Sequence, residues 1–203
     1  MNILAICCAL NNTYLGFEFD DKKIHKIIKS DKNYHSLYLI SEIKKIIKEN
    51  NFSLNKLDFI CVNSGPGSFT GIRVALTVAK VVAGELNIPL VSLDCANILL
   101  KAFDCDYYVS DARRDMYFLG TKDEIKLIKK EDFPYEQLND KKVVCDKNSK
   151  DKFKNALCFE EIDKNITISM IELAKEKFLN SKNKDEFNYL NVKANYIQTP
   201  PVF

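Results

Sequence analysis

The chain offers little that could hold a metal or a disulfide framework. Its two histidines, His25 and His35, leave a zinc site with few candidates. Its seven cysteines are odd in number and contain no C-x-x-C pair, which argues against disulfides. Cys7, Cys8, Cys61 and Cys158 lie in apolar, strand-like runs and read as small buried hydrophobes of a reducing compartment. There is no excess charge: 30 basic and 28 acidic residues leave +2, with the basic ones scattered as lysines. That balance carries no mandate for nucleic-acid or membrane binding. The apolar start from Ile3 to Leu10 lacks a basic flank and is far too short to span a bilayer. A cytoplasmic protein without a membrane partner is the expectation. The 203 residues, 46% hydrophobic and 29% charged, suffice for one globular domain or two small ones.

The most legible stretch runs from Ile60 to Leu93. A short apolar run, Ile60–Ser64, has strand character. Gly65, Pro66, Gly67, Ser68 and Gly71 then form a tight turn, because glycine tolerates positive φ and proline fixes its own. Ser68 is placed to cap a helix from Phe69 to Leu86, Asn87 closes it, and Leu90–Leu93 is a second strand. A glycine turn opening a helix can hold an anion. Here Gly71 is followed by Ile72 and Arg73, not the Lys-Ser/Thr of a P-loop. The spacing Gly65, Gly67, Gly71 also departs from G-x-G-x-x-G, and no acidic residue closes the next strand. The glycines therefore read as structural.

Ahead of this unit, residues 2–8, 13–19 and 23–28 read as three strands, a helix covers about 33–50, and residues 58–63 form a strand. Asp94 is a candidate cap for a helix to about Ala102. After Asp104 the order restarts. Strands are expected at 107–110, 115–119 and 124–128, a short helix at 134–138, strands at 142–145 and 156–159, and a helix at 165–180. Residues 180–188 are polar and expected to be loose, and the Pro200-Pro201 end cannot be helical.

The words Gly65-Pro66-Gly67-Ser68-Phe69-Thr70-Gly71-Ile72-Arg73, then Ala79-Lys80 and Ile88-Pro89-Leu90-Val91, closely resemble the TsaB (YeaZ) family. His35-Ser36 and Asp111-Ala112-Arg113-Arg114 are similar to two further motifs of that family. The resemblance implies an α/β fold of two ribonuclease-H-like halves of the actin, sugar-kinase and Hsp70 type, the second abbreviated. The halves are expected at residues 1–103 and 104–203. It further implies a non-catalytic dimerization or scaffold subunit of the complex that makes threonylcarbamoyladenosine in tRNA. The implied partners are a TsaD-like catalytic subunit and a TsaE-like ATPase, with homodimerization when alone and tRNA reached only through the complex.

The alternative is an enzyme in its own right, a nucleotide-dependent phosphotransferase or a protease acting on its partner. Relatives with a nucleotide site carry an acidic residue at the first hairpin, whereas this strand ends Cys7-Cys8-Ala9-Leu10. The metal-binding H-x-x-x-H of TsaD-like enzymes is also broken, since position 39 is Leu39. Neither a catalytic residue nor a cofactor is assigned. His35 and Ser36 read as helix-terminal residues that cap or pack. Asp111, Arg113 and Arg114 read as a solvated hairpin turn, with an anion site as the alternative.

Helical spacing nominates the partner surface. On the helix from Phe69, at about 100° per residue, Ile72, Ala75, Leu76, Ala79, Val82, Ala83 and Leu86 share the face expected on the sheet. Val74, Val78 and Val81 form a second apolar face where polar residues belong. The preceding helix has its stripe at Leu39, Ile40, Ile43, Ile46 and Ile47, leaving Tyr34, Leu37 and Tyr38 off it among lysines. Either the two helices cover these extra residues mutually, or they offer them to another protein. Leu37, Tyr38, Arg73, Val74, Val78 and Val81 are the expected interface. Arg73, a cation in the first turn, is disfavoured by the helix dipole by roughly 1 kcal/mol or less. It is therefore expected to meet a carboxylate or carbonyl, in this chain or a partner.

Overall fold

A computed structural model describes residues 1–20, 22–29, 35–162 and 166–197. The expectations for Tyr34 and the 199–203 tail, and for the His35 side chain, lie outside the described residues.

The first sheet contains β1 (Ile3–Cys7), β2 (Thr13–Phe19), β3 (Lys22–Ile28), β4 (Phe59–Asn63) and β5 (Leu90–Leu93), in the order β3-β2-β1-β4-β5. β1 pairs antiparallel with β2 and parallel with β4, and β3 is an edge. Buried strands at the centre of such a sheet read as unbroken apolar runs, and β1, β2 and β4 are buried at every residue. α1 (His35–Asn50) and α2 (Phe69–Leu86) pack side by side. Phe52, just past α1, stacks on Phe19 of β2 at 4.5 Å.

α5 (Ile166–Asn180) covers the opposite face. A Cβ on Gly16 would lie 2.7 Å from Cβ of Thr167, and Phe178 meets Phe59 at 5.0 Å. Side chains alternate across a sheet, so Gly16 and Glu18 point one way while Phe17 and Phe19 point the other. Helices therefore lie on both sides of the first sheet.

The second sheet repeats the first. It contains β6 (Tyr107–Arg113), β7 (Met116–Gly120), β8 (Ile125–Lys129), β9 (Val143–Cys145) and β10 (Ala156–Cys158), in the order β10-β9-β6-β7-β8. β6, β7 and β8 form an antiparallel meander, and β9 and β10 run parallel to β6. Where the first half has α1 and α2, the described residues of this half have the one-turn α4 (Tyr135–Leu138) and 3-10 turns at Lys130–Asp132 and Lys150–Lys152. The chain is therefore α/β with two ribonuclease-H-like halves, the second abbreviated. Its core joins Val109, Tyr117, Phe133, Leu138, Val143, Cys145 and Phe153.

The division by packing differs from the one expected. The compact units are Met1–Asp94 with Thr167–Asn195, and Cys95–Ile166 with the segment from Tyr196. α3 (Cys95–Phe103) follows β5 but packs on β6 and β9, and α5 follows β10 but packs on the first sheet. The expected boundary at 103/104 assigned each helix to the strands before it. Periodicity tells which face of a helix is apolar, not which sheet it covers. Residues 184–187, expected to be loose, form a 3-10 turn with Phe187 buried. All seven cysteines are free and buried, and burial pushes the Cys8 and Cys145 thiols up to about 12.

Candidate partner-binding site

α2 begins where the sequence placed it. The Ser68 hydroxyl accepts from the Gly71 N–H at 3.2 Å, and Asn87 closes the helix in the left-handed region with φ 52°. The turn before it is packed against the end of β1. The Ser68 N–H donates to the Ala9 carbonyl at 2.7 Å, and Gly67 has φ 154° with no room for a side chain beside Ala9. Asn63, fully buried, accepts from the Gly65 N–H through Oδ1 at 2.9 Å and donates through Nδ2 to Cys7 Sγ at 3.3 Å. The Asn195 N–H reaches the Ser64 carbonyl at 2.8 Å. Pro66 is buried within this knot. Close packing onto the β1–β2 turn accounts for the small residues of this segment.

The helix it positions carries the nominated surface. On α1, Leu37, Tyr38 and Ile40 are 64%, 46% and 51% exposed, and on α2 Val81 is 65% exposed. Val74 and Val78 are half-buried. Of the extra apolar set, Leu37, Tyr38 and Val81 are thus the open members. Ile40 joins the exposed group, although its sequence position suggested the core stripe. It lies about 100° round the helix from buried Leu39, enough to turn it out of the sheet contact. The Arg73 guanidinium sits 3.9 Å from the centroid of the Phe69 ring, four residues earlier. That contact is a cation–π pair.

The hairpin at Asp111 belongs to the second unit. Asp111 accepts from the Arg113 N–H at 2.9 Å and pairs with Lys130 at 3.4 Å. Arg113, Arg114 and Asp115 all have positive φ, and both arginines are exposed. The residue that organises this corner, Asp146, was missed by sequence reasoning. Buried at the end of β9, it accepts from Ser110 Oγ at 2.7 Å, the Asp111 N–H at 2.6 Å and the Ser149 N–H at 2.9 Å. A lone Asp after a short strand gives no warning of this role. Nearby, burial pushes the Tyr117 hydroxyl up to about 12. Among the described residues no group of three or more His, Cys, Asp and Glu side chains is placed to hold a metal ion. No described helix is long and apolar enough to cross a membrane.

Residues 23–185 match the family model of TsaD, tRNA N6-adenosine threonylcarbamoyltransferase. The tRNA threonylcarbamoyladenosine biosynthesis protein TsaB of Buchnera aphidicola subsp. Baizongia pistaciae is 42% identical over 78 residues, 38% of this chain and 35% of the relative. TsaB of Buchnera aphidicola subsp. Acyrthosiphon pisum is 25% identical over 191 residues, covering 90% of this chain and 76% of the relative. Among solved structures, an uncharacterized protein with similarity to peptidase YEAZ from Pseudomonas aeruginosa superposes with a TM-score of 0.77 at 14% identity. That superposition covers 97% of this chain and 99% of the other, and at such identity it speaks for the fold.

Proposed function

The chain belongs to the TsaB (YeaZ) family, within the reach of the TsaD family model, and from that premise we propose that it is a non-catalytic docking subunit in the biosynthesis of threonylcarbamoyladenosine in tRNA. It binds a TsaD-like threonylcarbamoyltransferase through α1 and α2 and, through that subunit, is organised with a TsaE-like ATPase. When the transferase is absent, a second copy of the chain occupies the same face.

The observation that carries this reading is the apolar group Leu37, Tyr38, Ile40 and Val81, exposed on two adjacent helices. Fully burying a large apolar side chain is worth about 1.5–3 kcal/mol, so four together supply a strong drive to associate. Such residues are the anchors of an interface, and the polar residues around them exclude water. The turn supports the same reading from the other side. Its main chain lies directly on the Cys8–Ala9 segment, where relatives with a nucleotide site place an acidic residue.

Reconstitution tests it. With the transferase subunit and the ATPase present, omission of this chain should abolish tRNA modification. Asp111→Ala should lower the rate only as far as folding or assembly suffers. A variant that assembles normally yet loses the ~10²-fold or more typical of acid–base catalysis would contradict the reading. So would sub-millimolar Mg-ATP binding by the isolated chain, which favours an enzyme in its own right.

A further inference from the structure

The docking face is not apolar throughout. At about 100° per residue, Leu37, Ser41, Lys44 and Lys48 of α1 fall within about 60° of one another. They lie on the side turned away from buried Leu39, Ile43 and Ile46, and all four are exposed. Leu37, an anchor of the docking reading, therefore shares its stripe with two ammonium groups, about two and about three turns further along the helix. The two glutamates of α1 stand about 100° or more round from that stripe. Glu42 is paired with Lys26 of β3, and Glu49 lies 4.0 Å from Lys45. Among the described residues neither Lys44 nor Lys48 has a carboxylate of this chain as an ion-pair partner.

α2 does not offset these charges. Its exposed line, at four-residue spacing, runs Arg73, Thr77, Val81 and Glu85, one charge of each sign. Half-buried Lys80 adds only to the positive side. With the Lys45–Glu49 pair set aside, the exposed charges of the face are Lys44, Lys48 and Arg73 against Glu85, a surplus of two cations.

Charges in an interface set partner choice and encounter rate more than raw affinity. A twofold dimer places one patch against its own copy, so in a homodimer this surplus meets itself. A partner whose facing surface carries carboxylates turns the same lysines from a repulsion into an attraction, which is how an interface separates the right partner from the wrong one.

We propose that Lys44 and Lys48 make the docking face select an acidic partner surface. They meet carboxylates of the transferase, and they hold the association of two copies of this chain weaker than that complex. This rests on the docking reading above. The two associations respond to salt in opposite directions, since screening removes an attraction from one and a repulsion from the other.

Analytical ultracentrifugation measures both, with the chain mixed with the transferase and with the chain alone. Each is run at about 0.1 M and about 1 M salt, where the screening length is about 10 Å and about 3 Å. The variant is Lys44→Gln/Lys48→Gln, and the control is Lys122→Gln/Lys141→Gln, two exposed positions of the second unit. At the lower salt the variant should bind the transferase about threefold or more weakly than wild type, and self-associate about threefold or more tightly. Both differences should fade at the higher salt, and the control should match wild type throughout. A variant that matches wild type in both associations shows that the lysines only keep the helix in solvent, and overturns the proposal. So does a change of the same sign in both associations, or an equal change in the control. A chain that stays monomeric on its own under every condition leaves the decision to the transferase arm. There a loss confined to the variant and to low salt supports the acidic partner surface, and any other pattern overturns it. If wild type does not bind the transferase at either salt, the docking reading itself fails, and the proposal with it.

Discussion

A Cβ placed on Gly71 would stand 1.8 Å from the carbonyl oxygen of Cys8. The first turn of α2 therefore rests directly on the main chain that ends β1, and only a glycine permits that approach. Neither side can yield easily, since the obstacle is backbone at the end of a fully buried strand. Gly71→Ala should cost about 3 kcal/mol, the upper end of overpacking effects. Equilibrium denaturation by urea checks this, with a change below about 1 kcal/mol showing that the helix end is free to shift.

Asp146 should be the most sensitive polar residue of the second unit. Asp146→Ala strands the Ser110 hydroxyl and the Asp111 N–H, while the Ser149 N–H keeps its 3.2 Å bond to the main-chain carbonyl of residue 146. Leaving buried donors without an acceptor costs about 1–3 kcal/mol each, partly recovered where water enters. A drop of about 2–4 kcal/mol in unfolding free energy is expected, read from the second-unit signal of Tyr117. A neutral substitution would show that this corner is solvated.

His25 links the first unit to pH. Its Nδ1 lies 2.9 Å from the Thr167 hydroxyl, which joins β3 to the start of α5. Burial lowers its pKa below the usual 6.5, Lys23 adds to that, and Glu18 opposes it. Glu18 is itself engaged by Lys175 of α5. The unfolded chain therefore binds the proton more readily than the folded one. Stability is full above about 6.5, the unfolded value, and declines as pH falls through the lowered folded value. Melting curves between pH 5 and 8 should show this loss, and His25→Gln should flatten it. A melting temperature of wild type that rises on acidification over that range would contradict the assignment.

Much of this structure was legible in the sequence. The strand order, the Ser68 cap, the Asn87 stop and the glycine turn each have local chemistry that spells them out. Helical spacing also separated Leu37, Tyr38 and Val81 from the core, since a face apolar where solvent should lie is visible without coordinates. What could not be read is long-range. α3 and α5 pack away from the strands that precede them, Asp146 ties in Ser110 and Asp111 from more than thirty residues away, and Ile40 turns outward.

The measurement that tests the account most directly is a titration of the chain against its TsaD-like transferase, followed by analytical ultracentrifugation. Val78, nominated from sequence, is half-buried, so Leu37→Glu and Val81→Glu are the cleaner probes. A carboxylate in solvent costs the isolated chain little, whereas an unpaired charge in an interface core costs several kcal/mol. The account predicts that each variant keeps the wild-type melting temperature and loses association by 10²-fold or more. Variants that remain folded and bind the transferase like wild type would show that α1 and α2 are not the docking surface.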